Sequence, residues 1–304
     1  MIECCAGSTV PRCRRFATLA VIALLTLAGC SSNPSIHRER AQTDILQSAA
    51  RAGFLRGEVA TSLGRLSYWR RGPANASHIN IYIEGDGRAW RTRSQPSDDP
   101  TPRNPVALKL ALQDNAAAVI YIARPCQFST ARSEAVCEQR YWTSHRYAEA
   151  VVQAFDDALS AFAARSGGQP SFGLTGFSGG GVIAALVAAR RTDIEWLVSV
   201  AANLDTSAWT DHHGVEALRE SLNPADQAAK LRHLPQVHLS GARDRVAPQF
   251  LLQNFIDRLA GARVQQRIYA DFDHGCCWAQ IWPQDGCRLL RDADVGHPAL
   301  CLSP

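Results

Sequence analysis

Lysine is nearly missing: among 304 residues only Lys109 and Lys230 carry an ammonium side chain, and arginine supplies the remaining positive charge. The formal charge is only +4, and part of it is the cluster Arg12, Arg14 and Arg15 near the N-terminus. The rest of the chain has no basic stripe, which sets a nucleic-acid partner aside. No apolar run reaches the ~20 residues that a membrane-spanning helix needs. Internal repeats, low-complexity tracts and composition breaks are absent too, so nothing marks a second domain. What is present is ordinary for a globular chain, with 46% apolar and 20% charged residues, and the length suits one domain with a full core.

The three arginines precede the apolar run 16–28, FATLAVIALLTLA. A cationic segment followed by a short apolar one is signal-peptide architecture rather than a membrane span. The run closes in Leu27-Ala28-Gly29-Cys30, which resembles a bacterial lipobox. That resemblance implies removal of residues 1–29, lipidation of Cys30, and 30–52 as lipidated Cys and tether ahead of a domain over 53–304. Ser31 lacks the Asp-type inner-membrane retention signal, so the implied address is the outer membrane, facing the periplasm. Several acyl chains on one residue anchor firmly.

That compartment is oxidising. Cys4, Cys5 and Cys13 leave with the leader, and six cysteines remain: Cys126, Cys137, Cys276, Cys277, Cys287 and Cys301. An even number here points to disulfides, with fifteen pairings open. Cys126 with Cys137 is the local choice, and the other four are expected to pair among themselves and staple the C-terminal tail. A zinc site through His274 and Cys276 is the rival, but its spacing matches no usual zinc pattern.

Periodicity places the elements. Residues 31–36 read as a polar tether and 39–52 as a short helix, while the alternation over 53–71 predicts a hairpin. Residues 78–83, HINIYI, are a strand running into Glu84-Gly85-Asp86-Gly87. Helices are expected at 106–113, 145–165, 180–190 and 248–260. Strands are expected at 117–123, before Gly176, and at 195–203, 236–242 and 264–270. The β-branched runs suit a buried parallel sheet. Alternating strands and helices predict an α/β fold with a mainly parallel central sheet, helices on both faces and a short insertion after the sixth strand.

Gly176-Phe177-Ser178-Gly179-Gly180 matches G-x-S-x-G between an expected strand and an apolar helix. That context makes the pentapeptide informative. A cramped turn leaves no room for side chains at 176 and 180 and pushes the Ser178 hydroxyl out above the sheet. GFSGGG lacks the lysine of a phosphate-binding Walker loop and the spacing of a dinucleotide fingerprint, so no cofactor is expected. A serine hydroxyl needs a base, and His274, just after the last strand, is the candidate. Imidazole needs a carboxylate to fix its tautomer. Asp244, after the 236–242 strand, is favoured, and Asp205 is the alternative acid. The chain order Ser178, Asp244, His274 is the one this architecture requires. The Gly179 N–H should form half of an oxyanion hole, and the Asp86 N–H is the chosen second donor, with Gly87 in reserve.

On these motifs the chain resembles the α/β-hydrolase superfamily over roughly residues 53–275. The lipobox, the EGDG loop, Pro125-Cys126-Gln127, Tyr141-Trp142 and His274-Gly275-Cys276-Cys277-Trp278 resemble those of proteobacterial α/β-hydrolase-fold lipoproteins. Glu84 departs from the His-Gly-x-x of relatives. The resemblance implies hydrolysis of a small-molecule carboxylic ester through an acyl-enzyme. The alternatives are a thioesterase, peptidase or polysaccharide deacetylase with the same residues, and a non-catalytic envelope lipoprotein keeping the fold. Trp90, Tyr141, Trp142, Trp209 and Trp278 are expected in loops near the site, either as an acyl pocket or as caps on the core. The 204–235 segment is the only place for a lid, and it is short.

Overall fold

The computed structural model describes residues 34–129, 135–260 and 263–295. The leader 1–29, Cys30 and Cys301 lie outside the described residues. Eight strands form one sheet: β1 (Leu55–Thr61), β2 (Gly64–Arg71), β3 (His78–Ile83), β4 (Val119–Ile122), β5 (Ser171–Phe177), β6 (Ile194–Val200), β7 (Gln236–Gly241) and β8 (Val264–Tyr269). Their spatial order is β1-β2-β4-β3-β5-β6-β7-β8. β1 and β2 form an antiparallel hairpin, β2 pairs antiparallel with β4, and every pair from β4 to β8 is parallel.

The helices are α1 (Pro34–Arg51), α2 (Val106–Gln113), α3 (Glu149–Arg165), α4 (Gly179–Ala188), α5 (Thr206–His213), α6 (Ala228–Leu231), α7 (Gln249–Leu259), α8 (Trp278–Ile281) and α9 (Gln284–Asp292). They cover both faces of the sheet. Alternate strand residues feed two cores, as a two-residue period requires. Ile79, Ile81 and Ile83 of β3 pack with α3, α4 and α7 on one face. Tyr82 of β3 and Trp196, Val198 and Val200 of β6 pack with α2, α8 and α9 on the other. Burial on both faces explains why the strands read as continuous apolar runs. The expected mainly parallel α/β architecture is observed, with α5 and α6 as the short insertion after β6.

Three local expectations need correcting. The first helix begins at Pro34, inside the stretch read as tether, because proline's fixed φ suits the first turn of a helix. Its far end buries Ala49 against the same core as α2. Second, residues 145–148 are a turn, and α3 starts only at Glu149. The Tyr147 ring is buried, and its hydroxyl has a polar partner described below. Third, the C-terminal segment is not merely a stapled tail. α8 and α9 seat Trp278, Trp282, Leu289 and Leu290 in the core. Their helices are short and separated by Pro283, so no sustained period shows in the sequence.

Candidate active site

The C-terminal ends of β3, β5, β7 and β8 meet at one edge of the sheet, and each delivers one part of the site. Ser178 sits in the turn between β5 and α4 with φ 51° and ψ −123°. Such a backbone is costly for a residue with a Cβ and persists only where its surroundings hold it. Here the Ser178 N–H donates to Val200 O at 2.8 Å and its carbonyl accepts from Gly181 N–H at 2.9 Å. The flanking glycines are steric necessities. A Cβ on Gly176 would lie 2.3 Å from Gly180 O, and one on Gly180 would lie 2.1 Å from Ile83 O.

His274 Nε2 lies 3.0 Å from Ser178 Oγ, and His274 Nδ1 lies 2.8 Å from Asp244 Oδ2. The sequence holds these residues 96 and 30 positions apart, and the fold joins them in one hydrogen-bonded line. The Asp244 carboxylate is fully buried. Its other oxygen, Oδ1, accepts the N–H groups of Val246 and Ala247, both at 2.8 Å, which fixes its orientation. The His274 backbone is held as well. Its carbonyl accepts the Trp278 indole N–H at 3.1 Å. Asp273 Oδ1 accepts the N–H groups of Gly275 and Cys276, so Asp273 shapes the turn rather than contacting the imidazole.

Asp205 is placed elsewhere. It caps α5 through Ala208 N–H, accepts from Asn223 Nδ2 and pairs with Arg258 at 3.2 Å. None of these contacts involves His274, so the alternative acid is a helix cap.

The loop after β3 lies against the nucleophile turn. Gly179 opens α4, where the first N–H groups of a helix have no intrahelical acceptor. Among the described residues the Asp86 N–H also has no backbone acceptor. The Asp86 side chain crosses so close to Gly179 that a Cβ there would lie 2.1 Å from Asp86 Oδ1. That carboxylate accepts from Arg124 at 3.0 Å, Arg146 at 3.1 Å and Tyr147 Oη at 3.0 Å. Burial pushes the Asp86 carboxyl up, but Arg146 and Arg124 outweigh it and hold the group below its ordinary value. Two guanidiniums on one carboxylate leave the cluster net positive, so Asp86 anchors the loop without making its surroundings anionic.

Glu84 is almost wholly buried. Burial lifts its carboxyl to about 7, against hydrogen bonds from Gly85 N–H and the Tyr121 hydroxyl. Gln127 ties the same loop from the far side, donating to Gly85 O at 2.9 Å and accepting Arg124 N–H at 3.1 Å. The neighbouring Cys126 is joined to Cys137. Arg124, Gln127, Arg146 and Tyr147 therefore support the site by holding the loop after β3. Of these, the sequence flagged only Gln127, within the Pro-Cys-Gln motif.

Cys276 and Cys277 are bonded to each other, and Cys287 is also in a disulfide. This pairing removes the Cys276 thiolate that a zinc site with His274 would need. Among the described residues no group of three or more His, Cys, Asp or Glu side chains could hold a metal ion. No helix among them is long and apolar enough to cross a membrane.

A cleft of about 580 Å³ opens over Ser178 and His274. Phe177, Trp90, Trp209 and Val246 give it apolar walls, and Arg88 and Arg146 line it as well. Of the aromatics singled out in the sequence, Trp90 and Trp209 reach the cleft, whereas Tyr141, Trp142 and Trp278 are buried in the core.

No family model and no curated protein sequence matches this chain. Solved structures do resemble it. A 2,6-dihydroxy-pseudo-oxynicotine hydrolase matches at 15% identity with a TM-score of 0.55, over 87% of this chain and 76% of that one. An esterase from Pyrococcus furiosus matches at 13% identity and 0.52, over 79% and 90%. A putative dienelactone hydrolase from Klebsiella pneumoniae matches at 20% identity and 0.50, over 79% and 95%. A puromycin hydrolase matches at 15% identity and 0.53 over 79% of this chain, which spans only 38% of that protein's length. With its strand order and crossover helices, this chain has the α/β-hydrolase fold.

Proposed function

We propose that the protein is a serine hydrolase that cleaves carboxylic esters of small molecules, with Ser178 as nucleophile, His274 as base and Asp244 as the acid that orients it. The observation that carries this reading is the line Ser178 Oγ–His274 Nε2–Asp244 Oδ2, at 3.0 and 2.8 Å, on a serine with positive φ. Ser178 Oγ attacks the ester carbonyl while its proton passes to His274 Nε2. The tetrahedral oxyanion is met by the N–H groups of Gly179 and Asp86. The intermediate collapses as Nε2 returns the proton to the leaving alkoxide, and water then releases the acid from Ser178 by the same route. Each oxyanion donor is worth about 2.7–4 kcal/mol in the transition state.

The cleft volume falls within the usual range for small-molecule sites. Between β6 and β7 stand only α5, α6 and a 3-10 turn at Pro224–Gln227, which are too short to form a large cap, and this favours a small or moderate ester. The second part of the proposal is the address. Cleavage before Cys30 and its lipidation would hold the domain on the outer membrane, facing the periplasm. Leu27-Ala28-Gly29-Cys30 supports this.

Fluorophosphonate labelling of the purified, oxidised protein tests the chemistry. The protein is expected to label and Ser178→Ala is expected not to, whereas an unlabelled wild type would leave only a non-catalytic fold. A panel of p-nitrophenyl esters, a thioester and an aminopeptidase substrate separates ester hydrolysis from its alternatives. Metabolic incorporation of radiolabelled palmitate, lost in Cys30→Ser, tests the anchor.

A further inference from the structure

The cleft holds more positive charge than its own acids answer. Its acidic lining groups are Glu84 and Asp86. Glu84 is 1% exposed, and its carboxylate faces Gly85 N–H and Tyr121. Asp86 already accepts from Arg124, Arg146 and Tyr147. Neither acid meets Arg88. The Arg88 side chain is half-buried and lines the cleft, yet it has no hydrogen-bond or ion-pair partner among the described residues.

A half-buried guanidinium without a partner carries a desolvation cost that an arriving anion would relieve. Arg88 is also held in place. Its N–H donates to Pro100 O at 2.9 Å, and the carbonyl of its neighbour Ala89 accepts Ser97 N–H at 2.9 Å. Only one residue, Gly87, separates it from the expected oxyanion donor Asp86, so it belongs to the loop that would face the ester carbonyl. A planar guanidinium matches a carboxylate bidentately, which adds geometric selectivity to charge.

We propose that the substrate is an ester carrying a second, free carboxylate, and that Arg88 is the residue that binds that carboxylate. This rests on the serine-esterase reading above. The anion would sit against Arg88 on the cleft wall while the ester carbonyl reaches Ser178. Arg146 also lines the cleft, but its Nε and Nη1 are already committed to Thr143 O and Asp86, so it contributes field rather than the principal contact.

The test compares matched esters on the wild-type enzyme. Mono-p-nitrophenyl adipate is set against p-nitrophenyl hexanoate for an anion on the acyl side. 4-Acetoxybenzoate is set against its methyl ester for an anion on the leaving group. The expected result is a preference for one anionic partner of at least about tenfold in kcat/KM, the scale of a hydrogen bond to a charged group. It should appear chiefly in KM and shrink as NaCl is raised. Arg88→Ala should abolish the ratio and Arg88→Lys should restore part of it. Benzoate and adipate should inhibit competitively, about tenfold more weakly in Arg88→Ala. Because the Arg88 side chain has no hydrogen-bond or ion-pair partner among the described residues, both variants should melt no lower than the wild type. Equal or faster turnover of both neutral esters would overturn the carboxylate assignment while leaving the esterase reading intact. Failure of every ester together with absent fluorophosphonate labelling would instead remove the esterase reading.

Discussion

Asp205 and Asp244 are both nearly fully buried carboxylates, 3% and 5% exposed, and only their partners tell them apart. Asp244→Asn should lower kcat/KM by about 10³–10⁴, because an amide cannot fix the imidazole tautomer. Asp205→Asn should keep kcat/KM within about twofold and cost about 1 kcal/mol in denaturant unfolding, through a weakened helix cap and the lost Arg258 pair. If Asp205→Asn were the silent enzyme and Asp244→Asn the active one, the assignment would be reversed. Glu84 gives a stability prediction. Its carboxyl is raised from 4.5 to about 7 in the folded state. Between those values the native state binds more protons than the unfolded one, so stability is full below about pH 4.5 and falls as pH rises through 7. The loss amounts to about 3 kcal/mol. Glu84→Gln should flatten this slope in urea titrations between pH 5 and 8. A slope unchanged in the variant would assign it to another group. The sequence made Ser178, His274 and Asp244 legible because each follows a recognisable strand. It left the partners of Asp86 unread, since Arg124, Arg146 and Tyr147 reach it across 38 to 61 positions with no local pattern.

Among the elements, the β5–turn–α4 unit is packed closely enough to be tested by a single methyl. Gly180→Ala would drive a methyl into Ile83 O, which is backbone and cannot rotate away. The variant is expected to lose at least about 2 kcal/mol of stability and to misplace Ser178. Calorimetry and the labelling yield measure the two effects, and a wild-type Tm with full labelling would contradict the packing argument. The Cys126–Cys137 bridge closes a loop of 11 residues' separation, worth about 3 kcal/mol on the chain-entropy model. Cys137→Ala should also lower kcat, because Gln127, next to Cys126, ties down Gly85. Long, strongly patterned elements were readable: the β-branched strands and α4 lie where the sequence places them. The short ones were not. α8 and α9 build their buried face from Trp278, Trp282 and Leu290 across a proline, and tertiary packing rather than periodicity decides them.

On the scale of the whole molecule, the three residues of the hydrogen-bonded line hang from unequal supports. Ser178 follows β5, which has paired strands on both sides and is buried along nearly its whole length. His274 follows β8, an edge strand that is paired on one side only among the described residues and partly exposed throughout. Edge elements with few buried contacts open at lower free energy than the centre of a sheet. Gln265, Gln266 and Arg267 on β8 also discourage another chain from adding to that edge. The base is thus suspended from the margin of the protein and the nucleophile from its middle. On warming, the margin should fray first, so turnover should fade several degrees below the calorimetric transition and return on cooling, a reversible thermal silence while most of the sheet is still folded.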